Sequence, residues 1–427
     1  VQSAVTLYPG DNRISLKKLI DQGVRVHSVV CDPPYGLTSI EKRFGKKGAA
    51  AAKTEGNDGS FSRLSAGFMG HTWDGTGIER DPDFWRLIHD ILLPGGFCFA
   101  FSGARTGHWQ AVAMETAGFI MHPMHGWCYG NGFPKAKDVE RDLTKLGADP
   151  ALIEQWEGWK YGTQSQKPAL EPIYLAQRPI SEKTYIANII KHGVGAVNID
   201  GCRVPLDSVS DANQLRSMNR GRREKDTSGQ SWGLSKMNAS TVQVVDENGR
   251  YPANLFHDGS SEVIDLFPQS GGSFVAEKVN NSADDVGLTR QPERVYSNST
   301  ARFFNAFPSD DCPSLLYHPK ASKTDRGGSE HPTVKPVGLL RHLIRHITPP
   351  GGVVLDPFAG SGTTAVAARA EGIDCIIMEA EGEYIDFLNK RFGTGLTADE
   401  TGVRADTTDL SDLFLQPETV EADDLLV

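Results

Sequence analysis

The chain has 427 residues, more than the roughly 100–200 of a typical domain, and no run of about 18 apolar residues, which excludes a helical membrane span. Its net charge of −10 excludes a uniformly basic nucleic-acid coat, yet residues 397–427 alone carry −8, with nine acids against Arg404, leaving −2 for the rest and room for a local basic face. The six cysteines form no Cys-x-x-Cys pair and three lie in apolar strand-like runs, which points to reduced, buried thiols of a cytoplasmic protein rather than a disulfide framework or a metal site.

The opening Val1-Gln2-Ser3-Ala4 has no signal-peptide pattern. Val5-Thr6-Leu7-Tyr8 alternates as a strand, Pro9-Gly10-Asp11-Asn12 turns, and a helix follows from Ser15 to Asp21. Residues 24–31 form an apolar, β-branched strand that stops in Asp32-Pro33-Pro34-Tyr35. Residues 36–80 are rich in Gly, Ser, Ala and Lys around an aromatic knot, Phe68 to Asp74, and read as a long functional or mobile loop. Pro82 opens a helix through Leu93, Pro94-Gly95-Gly96 stops it, and Phe97 to Phe101 is an apolar strand. A helix near 107–117, a strand at 119–124 leading into Trp127 to Lys135, and a helix near 137–146 come next. A strand from Glu171 to Ala176 and a helix from Ser181 to Lys191 complete this part. Such alternation implies a parallel sheet covered on both faces.

The rhythm breaks between about 196 and 330. There Arg216, Arg220, Arg222, Arg223 and Lys225 precede Trp232, as either a solvated insertion or a basic arm for a phosphate backbone. It returns with a helix from Val337 to Ile347, the strand Val353 to Leu355, the turn Asp356 to Thr364 and a helix from Ala365 to Glu371. A strand from Ile373 to Met378 ends in Glu379, and a helix at 381–391 precedes the acidic tail.

Two stretches carry chemistry. Asp32 offers an acceptor-only carboxylate, Pro33 a carbonyl on a fixed backbone, and Tyr35 an aromatic face, which together suit a planar ring bearing an amino group. The same residues also fit a strand stopped by a Pro-Pro turn with a capping Asp. In the second stretch two glycines join strand to helix, letting backbone N–H groups approach a ligand, and Glu379 at the next strand end can accept from ribose hydroxyls. A hydride-transferring dinucleotide enzyme competes for this pattern. Phe358-Ala359-Gly360-Ser361-Gly362-Thr363 misses its Gly-x-Gly-x-x-Gly fingerprint, however, and Asp356 opposes a pyrophosphate while suiting a cationic sulfonium or amino group. The absence of Gly-Lys-Ser/Thr excludes a Walker loop.

In this order the stretches resemble the S-adenosylmethionine-dependent DNA amino-methyltransferases of the β class, in which the Asp-Pro-Pro-Tyr motif comes first, target recognition next and the cofactor motif last. The resemblance covers about residues 5–392 and is strongest at 29–36 and 331–364. It implies an α/β fold with a mixed, mostly parallel, seven-stranded Rossmann-like sheet, circularly permuted, carrying an inserted target-recognition region. The implied divisions are 1–195 (catalytic half), 196–330 (target recognition), 331–396 (cofactor half) and 397–427 (acidic tail).

The resemblance also implies roles. Asp32, Pro33, Pro34 and Tyr35 would hold the target base. Asp356, Pro357, Phe358, Gly360, Ser361, Gly362 and Thr363 would hold the methionine part of S-adenosylmethionine, Glu379 its ribose and Asp11 its adenine, with Thr333 and Lys335 flanking its carboxylate. Asp at the first catalytic position usually marks adenine N6 and Ser marks cytosine N4, so Asp32 favours a DNA adenine-N6 methyltransferase; cytosine N4 transfer and a non-catalytic DNA-binding or anti-restriction module are the alternatives. Double-stranded DNA is the implied partner, with Arg216 to Lys225 on phosphates. Dimers occur in the family, and no restriction partner can be named from the residues.

Overall fold

The structure, a computed structural model, describes residues 3–35, 76–130, 132, 134, 136–162, 165–204, 245–246, 249–267, 305–306 and 334–393. Ten strands of the described residues form one sheet: β1 (Val5–Pro9), β2 (Val26–Cys31), β3 (Leu92–Phe101), β4 (Ile120–Met121), β5 (His125–Cys128), β6 (Leu170–Gln177), β7 (Leu255–His257), β8 (Asn305–Ala306), β9 (Val353–Asp356) and β10 (Asp374–Glu379). Their order is β1-β10-β9-β2-β3-β6-β5-β7-β8, with β4 paired to β6. β6 runs antiparallel to β3, β4 and β5, and the other pairings are parallel. The sheet is thus mixed and mostly parallel. It exceeds the expected seven strands by three short ones, of which β7 and β8 come from the stretch that reads as rhythmless.

Among the described residues, seven helices of eight residues or more flank this sheet: α1 (Asn12–Asp21), α2 (Pro82–Ile91), α3 (Gly107–Thr116), α4 (Tyr185–His192), α5 (Val337–Ile347), α6 (Thr363–Glu371) and α7 (Gly382–Phe392). Local chemistry sets their ends. Asp81 caps α2 by accepting from the Asp83 N–H, with Pro82 pre-set at the first helical position. That helix stops at Ile91, two residues before the expected end, because Leu93 precedes a proline and is pushed out of the helical region; Leu92 to Gly96 join the strand instead, with a register shift against β2. The expected strand at 119–124 shrinks to Ile120–Met121, and a new strand begins at His125 beyond Pro123. α4 begins at Tyr185 rather than Ser181, since Thr184 accepts from the Ala187 N–H and becomes the cap. The segment at 137–161 holds two short helices, Val139–Lys145 and Pro150–Gln155, closed by the ladder Lys137–Asp138 with Lys160–Tyr161.

Strand alternation splits the core in two. Val30, Phe99, Phe101, Val354 and Ile377 face Leu339, Leu343, Ile347 and Ala368 of α5 and α6. Val29, Cys31, Cys98, Leu355 and Met378 face Leu16, Leu19, Phe84, Trp85 and Ile88 of α1 and α2. Phe84, Trp85, Ile88 and Ile91 are all buried, each worth ~1.5–3 kcal/mol relative to exposure, which fixes α2 on the sheet. Both faces of the central strands are covered, so their carboxyl ends are where polar chemistry can collect. Among the described residues no helix is long and apolar enough to cross a membrane.

Candidate active site

β2 and β9 are neighbours, with Leu355 opposite Val29, so Asp356 falls level with Val30 and Asp32 emerges just beyond it on the same edge of the sheet. Pro33 and Pro34 are buried and end β2. The Asp32 carboxylate is divided in its duties. Oδ2 accepts from the Nζ of Lys335 in an ion pair, while Oδ1 is buried with no hydrogen-bond partner among the described residues. Lys335 is 5% exposed and also lies 3.8 Å from Glu171 Oε2. Its ammonium stands 4.9 Å from the Phe101 ring centre and 5.5 Å from that of Tyr35, within the range of cation–π attraction.

Tyr35 is positioned by the loop after β3. Its carbonyl accepts from Thr106 Oγ1 at 2.6 Å. Gly103 faces its side chain so closely that a Cβ there would lie 3.3 Å from both Cβ and Cδ2 of Tyr35. The loop that follows Phe101 thus seats the aromatic residue.

The glycine turn is organised by two carboxylates, Asp356 buried and Glu379 partly buried. Asp356 Oδ1 accepts from the Phe358 N–H at 2.9 Å and Oδ2 from Thr364 Oγ1 at 2.5 Å. Burial pushes its pKa up to about 7; those two hydrogen bonds and the Lys335 charge oppose the rise, and the Asp32 charge adds to it. Glu379 accepts from the Gly360 N–H at 2.7 Å and from the Ala380 and Glu381 N–H groups at 2.9 Å each, and burial raises it too to about 7. Gly360 and Gly362 have φ of 51° and 77°, a region that favours glycine. At Gly362 a Cβ would also meet Leu388 Cδ2 at 2.6 Å and Phe392 Cε2 at 2.7 Å, so α7 lies directly on the turn and only a glycine fits beneath it. Ser361 and Thr363 exchange a hydroxyl hydrogen bond of 3.0 Å, and the Ser361 carbonyl accepts from Arg391 at 2.8 Å.

The first strand supplies the remaining wall. Gly10 N–H donates to the Glu379 carbonyl at 2.7 Å, which sets Asp11 beside that strand end. Asp11 is also the cap of α1: it accepts from the Arg13 N–H at 2.9 Å and pairs with the Arg13 guanidinium at 2.6 Å, and that partner holds its carboxyl below the usual carboxylate range. The structure shows the turn-forming reading of Asp11, with its carboxylate engaged by Arg13. Pro357 is held from the same helix, its carbonyl accepting from Asn12 Nδ2 at 2.9 Å, and the Phe358 ring rests on Phe84 at 5.3 Å.

The structure thus gathers Asp11, Asp32, Pro33, Pro34, Tyr35, Lys335, Asp356 to Thr363 and Glu379 along the carboxyl edge of β1, β10, β9 and β2. Lys335, expected beside the cofactor carboxylate, contacts Asp32 and Glu171. Thr333, Arg216, Arg220, Arg222, Arg223, Lys225 and Trp232 lie outside the described residues. Sequence reasoning missed Glu171, Thr364, Thr106 and Asn12. An acid inside the apolar run of β6 was the available signal for Glu171; the other three have none beyond their neighbours.

A pair of carboxylates, one at each of two adjacent strand ends, disfavours a pyrophosphate and suits a cation and a diol. The comparisons with known proteins agree with that chemistry. The family model of the N6/N4 methyltransferases, described as DNA methylase, matches residues 26–390. The chain is 26% identical over 209 residues to the type II methyltransferase M.HindIII of Haemophilus influenzae, covering 45% of this chain and 64% of that protein. It is 44% identical over 69 residues to M2.DpnII of Streptococcus pneumoniae, covering 16% of this chain and 26% of that one, and 45% identical over 78 residues to M.HinfI of Haemophilus influenzae, covering 18% and 22%. The matches therefore span less than two thirds of each of these relatives. Among solved structures, the M1.HpyAVI–SAM complex aligns over 91% of this chain and 99% of its own at 14% identity and a TM-score of 0.39, too low a likeness to bear on the fold or the reaction. With the family model covering most of its length and the acid-lined glycine turn in place, the chain belongs to the N6/N4 DNA methylase family.

Proposed function

We propose that this chain transfers a methyl group from S-adenosylmethionine, the cofactor of its family, to the exocyclic N6 of an adenine flipped out of duplex DNA. The observation that carries the reading is the buried Oδ1 of Asp32, without a hydrogen-bond partner among the described residues and one strand away from the carboxylate-lined turn at Asp356. A buried acceptor without a donor is costly unless a ligand supplies one, and an amino group has two N–H donors.

The residues fit the cofactor: Glu379 for its ribose hydroxyls, Asp356 and the turn from Phe358 to Thr363 for its methionine part, and Asp11 for its adenine. S-adenosylmethionine, when bound, supplies an electrophilic methyl on sulfonium. The chain's own work is positioning. Asp32 Oδ1 and the Pro33 carbonyl accept the two N6–H bonds, which favours a more tetrahedral nitrogen with its lone pair free. The Lys335 ammonium on Oδ2 fixes the carboxylate, and Asp32 takes the proton the nitrogen sheds. Tyr35 stacks on the base, a contact worth ~1–3 kcal/mol in comparable sites. Within a duplex that amino group faces its pairing partner, so the base leaves the stack first. The basic run from Arg216 to Lys225 serves the DNA backbone in this reading, so affinity falls as salt rises.

Asp32 at the first catalytic position favours adenine over cytosine by the division usual in the family. The test is incubation with labelled S-adenosylmethionine and duplex DNA, then digestion to nucleosides. N6-methyl-2′-deoxyadenosine is the expected labelled product. N4-methylcytosine overturns the choice of base, and an unlabelled nucleoside pool overturns the activity.

A further inference from the structure

We infer that Cys202, His342 and His346 form a binding site for a zinc-type transition-metal ion, apart from the methyl-transfer site. Cys202 ends the short 3₁₀ turn Asp200–Cys202, and its thiol rests on the His342 carbonyl at 3.7 Å. His342 and His346 stand four residues apart on α5, which stacks their imidazoles on one side of the helix, ring centres 6.2 Å apart. The Cys202 Sγ and one nitrogen of each imidazole all lie within 4.8 Å of one another. Tetrahedral Zn–N bonds of about 2.05 Å require nitrogens about 3.4 Å apart, a distance that rotation about the side-chain torsions closes.

The donor set names the ion. One thiolate and two imidazoles suit zinc and its neighbours and offer nothing to magnesium or calcium, which take oxygen ligands. Cys202 and His342 are buried whereas His346 is partly exposed, so the group has an approach from solvent. Arg345, between the two histidines, donates to Glu371 at 2.7 and 2.6 Å and to the Gly201 carbonyl at 3.3 Å, so its charge stands beside the group and is matched by the Glu371 carboxylate. A further imidazole, His125, lies 6.1 Å from His346 ring to ring, and its buried Nδ1 has no hydrogen-bond partner among the described residues; it or a water completes the coordination. Binding costs one proton: the Cys202 thiol loses it to solvent as the metal–sulfur bond forms, the imidazoles donate lone pairs, and nothing is oxidised or reduced. The ion would tie the turn at 200–202 to α5, the helix that begins just after Lys335. No ligand spacing announces the group in the sequence, because Cys202 and His342 are 140 positions apart.

The test uses the full chain, purified from zinc-supplemented medium, desalted, and assayed for metal by mass spectrometry. The expected result is about one zinc per chain, reduced at least roughly fivefold in Cys202→Ser and in His346→Ala. The serine variant preserves shape and His346 is partly exposed, and circular dichroism checks that each variant is folded. Cobalt loading of the unaltered chain gives a second readout that needs no variant: a thiolate-to-cobalt charge-transfer band in the near ultraviolet. Absence of zinc in the desalted chain, zinc content unchanged in both folded variants, or a cobalt spectrum without the sulfur band overturns the inference.

Discussion

Lys335 and Asp32 are 303 positions apart in the chain, yet the Nζ of one bonds the Oδ2 of the other at the meeting of the two sequence halves. The pairing leaves Oδ1 of the same carboxylate buried and without a partner among the described residues, so a single contact orients the acid. Glu171, 3.8 Å from the same ammonium, makes Lys335 a shared counter-ion for two acids.

Lys335→Met removes that counter-ion while keeping most of the side-chain volume. Transfer is expected to fall by roughly 10²-fold or more, as for loss of a positioned electrostatic group, while the dissociation constant for S-adenosylmethionine changes less than about threefold. Stability is expected to drop by about 2 kcal/mol, below the usual cost of breaking a buried pair because Asp32 retains 23% exposure. Titration calorimetry beside single-turnover assays separates the two effects. A weakened cofactor with an intact rate would place Lys335 at the cofactor carboxylate instead.

Asp356 and Glu379 titrate near pH 7 in the folded chain and at 3.8 and 4.5 ordinarily. Folding therefore favours their protonated forms. The stability this lends is complete below about pH 4 and is lost as pH rises to about 7. Ribose hydroxyls and a sulfonium favour the ionised acids, so cofactor binding is expected to release protons and to tighten from pH 5.5 toward 7.5, estimates set by those same pKa values. Calorimetry in two buffers of different ionisation enthalpy measures the protons directly. Proton uptake, or affinity independent of pH, would show that these carboxylates do not meet the cofactor.

Gly362→Ala tests the seat of α7 on the turn. The new Cβ would combine φ of 77° with contacts of 2.6 and 2.7 Å to Leu388 and Phe392. A loss of roughly 1–3 kcal/mol is expected in thermal or urea unfolding. A variant as stable as the parent would mean that α7 yields freely there.

How much of this was legible depended on range. The Pro-Pro stop after β2, and the succession of β9, glycine turn, α6, β10 and terminal acid, are written in adjacent residues, so their order and their chemistry could be read together. Glu171 could not. It reads as one strand residue, and only the antiparallel insertion of β6 between β3 and β5 carries its carboxylate to Lys335. β7 is three residues long and pairs with β5, more than 120 positions away, so neither periodicity nor neighbours mark it. Helix ends slipped where one residue outweighs a pattern, as Pro94 does for α2 and Thr184 for α4.

In the proposed reaction Asp32 holds the amino group and not the cofactor. Asp32→Ala, assayed for methyl transfer to duplex DNA and for S-adenosylmethionine affinity on the same preparation, tests it most directly. Transfer is expected to fall by roughly 10³-fold or more with cofactor affinity within about threefold of the unaltered chain. Turnover close to that of the unaltered chain would contradict it.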